Sequence, residues 1–149
     1  MSGLPVFRIN PSDKFKRSYK ELLKRHYKGD KAKVAFQDCV AQIVKDLSNN
    51  PFVDGSFSEG WPGSLGKPEE WEFRKYYFDM PSLRGASGQG RLMYLVNRTQ
   101  GVIKLVWLYT HSEFPKRPPD KSLKQLLQEL MESQEEEEPS SSNDQENIQ

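Results

Sequence analysis

The chain has 149 residues, with 22 Lys and Arg against 21 Asp and Glu and a hydrophobic fraction of 35%. That length suits one domain of ordinary size with a real core, while the low apolar content implies that part of the chain does not join it. The single cysteine, Cys39, excludes an intrachain disulfide, and no apolar run approaches the ~18 residues of a membrane helix, so no membrane span is expected. Met1-Ser2-Gly3-Leu4-Pro5 lacks an apolar leader core, so no secretion signal is expected there either.

Val6-Phe7-Arg8-Ile9 alternates and predicts a short first strand. Asn10 and Pro11 suit an N-cap and a first helical residue, so a helix is expected from there. Phe15, Tyr19, Leu22, Leu23, His26 and Tyr27 form its apolar face. Gly29 ends it and Asp30 starts a second helix. Val34, Phe36, Cys39, Val40, Ile43, Val44 and Leu47 make the buried side of that helix. Cys39 reads as a small core residue rather than a nucleophile. Residues 51–70, rich in Gly, Pro and Ser, predict a loop pinned by Phe52, Phe57, Trp61 and Leu65.

Three strand-like runs follow: Trp71 to Phe78, Arg91 to Val96 and Val102 to His111. A glycine-rich connection, 80–90, joins the first two. Asn97-Arg98-Thr99-Gln100-Gly101 closes the second hairpin, with Gly101 supplying a positive φ. Leu92, Tyr94 and Val96 alternate with Met93 and Leu95, so both faces of the middle strand are apolar, and parity does not say which face is functional. After three prolines (Pro115, Pro118, Pro119), Leu123, Leu126, Leu127 and Leu130 define a last helix.

From Glu132 onward there are seven acidic residues and no basic ones. Removing these seven from 21 leaves 14 acids against 22 bases, so residues 1–131 carry +8 and residues 132–149 carry −7. The division is a folded domain, 1–131, and an acidic tail, 132–149, expected to be disordered. The basic body fits an anionic partner such as nucleic acid, or a solvated lysine-rich surface. A tethered anionic tail is able to compete for a basic groove, or only to add solubility.

The order strand, helix, helix, three strands, helix predicts an α+β fold: a small antiparallel sheet, an N-terminal helical hairpin on one face, and a C-terminal helix. With the run Trp71-Glu72-Phe73-Arg74, then Arg91-Leu92-Met93-Tyr94, then a strand ending Tyr109-Thr110-His111, it resembles the RelE/ParE superfamily of bacterial toxins across roughly residues 6–130. The resemblance implies ribosome-dependent mRNA cleavage, a small cognate antitoxin and a cytoplasmic location. The ParE branch implies a gyrase poison instead. The chain is longer than the family pattern, with extended loops at 51–70 and 80–90 and the added acidic tail. A non-catalytic interaction protein that keeps the fold is a third reading.

RNA cleavage by 2′-OH attack needs proton transfer and positive groups around the pentavalent phosphate. His111 is the best acid or base, because histidine titrates near neutrality unaided; its alternative is a polar strand end. Arg91 opens the central strand and matches the family's phosphate-stabilising arginine, a role suited to a fixed planar cation. Arg74 and Lys75 alternate, so only one faces a given site; the family pattern favours Arg74. Tyr109 shares a face with His111, or packs against Tyr94 or Trp107. Lys75, Arg84, Lys116 and Arg117 are candidates for backbone phosphates. No metal-ligand spacing, nucleotide loop or nucleophile elbow occurs, so neither a metal nor a cofactor is expected.

Overall fold

A computed structural model describes residues 6–66 and 68–133. β1 (Arg8–Pro11) leads into α1 (Asp13–His26) and α2 (Asp30–Asn49). A short edge strand, β2 (Ser56–Ser58), precedes the long strands β3 (Glu72–Asp79), β4 (Gln89–Asn97) and β5 (Val102–Thr110), and α3 (Asp120–Glu132) closes the order. The five strands form one sheet in the order β1-β5-β4-β3-β2. β1 runs parallel to β5, and the other pairs are antiparallel.

The first helix starts later than expected. Asn10 and Pro11 pair with Lys104 and Leu105, so β1 absorbs both residues. Ser12 becomes the N-cap, its Oγ accepting from the Phe15 N–H at 3.0 Å. Gly29, expected to end that helix, instead caps the start of α2 with φ +83°. Residues 51–70 are not all loop: Ser56–Ser58 pairs with β3, which three residues of mixed polarity do not announce. The acidic tail expected from Glu132 falls, beyond Ser133, outside the described residues.

The sheet is covered on both faces. α1 and α2 bury Phe15, Leu22, Phe36, Val40, Ile43 and Leu47 with Leu92, Tyr94, Val96, Ile103, Leu105 and Leu108. On the other face Leu123 and Leu127 of α3 join Phe73, Met93, Leu95, Val106, Trp107 and Tyr109, with Trp61, Leu65 and Trp71 packed around them. Val34, expected inside, is 50% exposed, and Cys39 is half-buried. Burial pushes the Cys39 thiol up, which leaves it protonated and unreactive.

Side chains of α1 close the edge of β5 that β1 does not reach. Ser12 Oγ donates to the Val106 carbonyl at 3.1 Å. Ser18 Oγ accepts from the Leu108 N–H at 3.0 Å while donating to the Phe15 carbonyl. A register shift at Met93/Tyr94 leaves Val106 without a partner on β4, so Val106 and Trp107 both face α3. Lys104, 2% exposed, donates to the Leu130 carbonyl and the Ser133 Oγ, pinning the C-terminal end of α3 to the sheet. Among the described residues no helix is long and apolar enough to cross a membrane.

Candidate nucleic-acid interface

Strand register assembles the site. Tyr77 of β3, Arg91 of β4 and Tyr109 of β5 stand side by side in one cross-strand row. The next row holds Phe57, Lys75, Met93 and Trp107. Alternation puts both rows on the α3 face. Just past β5, His111 donates its backbone N–H to the Gln89 carbonyl at 2.9 Å, extending the same face by one position.

Gly90, the residue before Arg91, faces the other side of the sheet beside the Phe78 ring. A Cβ at Gly90 would come within 2.4 Å of that ring, so any larger residue there requires the half-buried Phe78 side chain to move. The Arg91 guanidinium stacks over Tyr77 at 4.2 Å and donates to the Gly90 carbonyl and the Gln89 Oε1. It has no acidic partner among the described residues. Tyr77 and Phe57 meet edge to face at 5.6 Å and are 40% and 58% exposed. Exposed rings beside a stacked guanidinium are the elements that hold single-stranded bases and their phosphates.

Glu59 organises the other cations. Its carboxylate takes Lys75 Nζ at 3.4 Å and Arg117 Nη1 at 2.9 Å. Arg117 also donates to the Gly60 carbonyl at 2.7 Å and pairs with Asp120 at 3.0 Å. Tyr109 is fully buried, edge to face with Phe114, and its hydroxyl has no hydrogen-bond partner among the described residues. Burial raises its pKa strongly, with Glu59 adding to the rise and Arg91 and Arg117 opposing it. The hydroxyl is therefore neutral across the physiological range, a donor and not a base.

Arg91, Tyr109, His111, Lys75 and Arg117 thus gather at one end of the α3 face. Lys116 is exposed beside Arg117, and Arg84 is exposed in the 80–90 connection. Arg74 is not part of the cluster. It points to the α1 and α2 face, where it donates to Ser56 Oγ at 2.8 Å, pairs with Glu72 at 3.2 Å and lies over Phe52. The alternation that separates it from Lys75 assigns Lys75 to the row beside Arg91 and Tyr109. Glu59 and Tyr77 escaped the sequence reading, and Phe57, expected to pin its loop to the core, is instead largely exposed because it lies on the edge strand β2. Tyr77 shares parity with Lys75 and was findable; Glu59 lies in a Gly/Pro/Ser segment without periodicity.

An unpartnered buried hydroxyl gives a direct test. Tyr109→Phe is expected to leave stability unchanged or raise it by up to ~1 kcal/mol, because no folded-state bond is lost and less polar surface is buried. Thermal and urea melts check this. A loss above ~1 kcal/mol would show that the hydroxyl does have a partner in the folded protein.

No protein-family model matches the chain, and no curated protein matches it. Among solved structures it is similar to the archaeal RelE–RelB complex from Pyrococcus horikoshii OT3, at 14% identity over 70% of this chain and 94% of that one, with a TM-score of 0.46. It is similar to a mutant of E. coli toxin RelE in the free state, at 13% identity over 84% and 98% of the two chains, with a TM-score of 0.46. A metal-bound toxin from Helicobacter pylori is 21% identical over 72% of this chain and 98% of that one, with a TM-score of 0.44.

Proposed function

We propose that this protein is a toxin-type endoribonuclease that cuts mRNA at the ribosome, in the cytoplasm, and is restrained by a cognate antitoxin. The observation that carries the reading is Arg91: a fixed cation stacked on the exposed Tyr77, with no acid of its own among the described residues, two residues along the ladder from the backbone of His111. The sequence resemblance to RelE/ParE toxins supplies the substrate class and the partner.

In this reading a base stacks on the exposed Phe57, beside Tyr77, which brings the adjoining phosphate to Arg91. The substrate's 2′-oxygen attacks that phosphorus, the bond to the 5′-oxygen breaks, and a cyclic phosphate and a 5′-hydroxyl result. The extra negative charge of the pentavalent state falls on the guanidinium, which is better placed for it than for the ground state. His111 transfers the proton at the strand end. Lys75, Arg117, Lys116 and Arg84 hold neighbouring phosphates, and the charge a metal ion would supply comes from these side chains. Tyr109, buried at the β5 end of the row, packs against Phe114 rather than touching substrate.

The test is purified protein with ribosomes carrying a defined mRNA, the cut sites mapped by primer extension. Cleavage is expected to proceed when the enzyme has been freed of metal by chelation and desalted. No cuts on ribosome-bound or free mRNA would overturn the reading, and chemistry restored only by an added divalent ion would overturn its mechanism.

A further inference from the structure

Lys75 and Arg117 do not wait for a ligand with open donors. Both already hold an anion, the Glu59 carboxylate, at 3.4 Å and 2.9 Å. Guanidinium recognises carboxylate and phosphate through the same paired oxygen geometry, so the two anions compete for one place. Lys75 is only 7% exposed, and a buried ammonium without a counter-charge is strongly disfavoured. Glu59 supplies that charge while the site is empty.

The backbone makes Glu59 a resident rather than a chance neighbour. Its N–H donates to the Phe73 carbonyl at 2.8 Å, continuing the pairing of β2 with β3 and setting the side chain over Lys75. Gly60 follows, with no atom within 4 Å of where a Cβ would stand. The carboxylate therefore has a fixed root and an unobstructed residue beside it.

We infer that the Lys75–Arg117 pair is a phosphate clamp occupied by Glu59 in the free protein, so that Glu59 is a built-in competitor that sets the affinity for RNA. The inference rests on the RNA reading above and adds the site of a second phosphate, next to the one at Arg91. The carboxylate is released from Arg117 when a backbone phosphate arrives, and Lys75 passes from one anion to the other without becoming unpaired. Binding is thereby weakened evenly for all sequences, since the clamp reads phosphate and not base.

The test uses the full chain and a labelled 12-nucleotide oligouridylate, with affinity read by fluorescence anisotropy at low and high salt. Glu59→Gln is expected to tighten binding about tenfold at low salt and to steepen the salt slope by ~0.7 for each cation released to phosphate. Adding Arg117→Gln to that variant should abolish the gain. Glu59→Asp, which keeps the charge but withdraws it by one methylene, should fall between the two and serves as the reporter if Glu59→Gln loses its circular dichroism. Equal or weaker binding by the folded variants would overturn the clamp, as would a gain that survives Arg117→Gln. A parallel titration with inorganic pyrophosphate separates the two claims. If neither form binds the RNA yet Glu59→Gln binds pyrophosphate more tightly, the RNA reading falls and the clamp stands; if pyrophosphate does not distinguish the forms either, the clamp falls too.

Discussion

Arg91→Ala is expected to slow mRNA cleavage by ~10²–10³-fold, the scale for removing one preorganised charge from a developing oxyanion. The loss should lie in the rate of the chemical step more than in binding, because Lys75 and Arg117 still hold the strand. Arg91→Lys should recover only part of it, since an ammonium has no planar fork and stacks less well on Tyr77. His111→Ala should cost ~10²–10⁴-fold through the lost proton transfer. Arg74→Ala is the contrast: its guanidinium serves Ser56 and Glu72 on the other face, so cleavage by the folded variant should stay within a few-fold. Single-turnover cleavage of ribosome-bound mRNA measures all four. Full activity in both Arg91→Ala and His111→Ala would remove the site from this end of the sheet, and a large loss in Arg74→Ala alone would move it to the opposite face.

The largest stability effect is expected at Phe36. It is fully buried in α2, stacked against Tyr19 at 5.4 Å and Tyr27 at 5.0 Å. Tyr27 is anchored elsewhere through a 2.8 Å bond from its hydroxyl to the Pro81 carbonyl, so it is not free to collapse into the space, and Tyr19 stacks on Phe15 at 6.2 Å. Phe36→Ala should therefore cost ~3–5 kcal/mol, while Phe36→Leu, which refills most of the volume, should cost far less. Urea unfolding with an unchanged slope and a lowered midpoint reads the difference. A loss below ~1 kcal/mol for Phe36→Ala would mean that the α1 and α2 pair closes over the gap and is packed more loosely than the stacking implies.

The fold was largely legible because its strongest signals are periodic. Leu22, Phe36, Val40, Ile43 and Leu47 fall at helical spacing, and all are buried as expected. The apolar residues of both parities in β4 foretold a strand covered on two faces, and α3 on the far side is what covers the second. β2 was missed because three residues carry too little pattern to stand out from a loop, and the start of α1 was misplaced because Asn10-Pro11 suits a helix cap and an edge strand alike. The site was half legible. Tyr109 and His111 share a parity that sequence alone supplies, while setting Arg91 beside them required the strand register. Choosing between Arg74 and Lys75 required knowing which face α1 and α2 cover, and β4 gives no hint because it is apolar on both. Glu59 was out of reach, since its importance comes from residues 16 and 58 positions away in the chain.

β1 pairs with β5 across 94 positions, Arg8 beside Val102. During synthesis the first strand must therefore wait for nearly the last one. At ~5–20 residues per second that interval is about 5–20 s. Throughout it the apolar sides of α1 and α2 lack Ile103, Leu105 and Leu108 of β5, and the row Tyr77–Arg91–Tyr109 lacks its third member. In the proposed reading, a growing chain that has not yet reached β5 therefore carries no complete cutting edge.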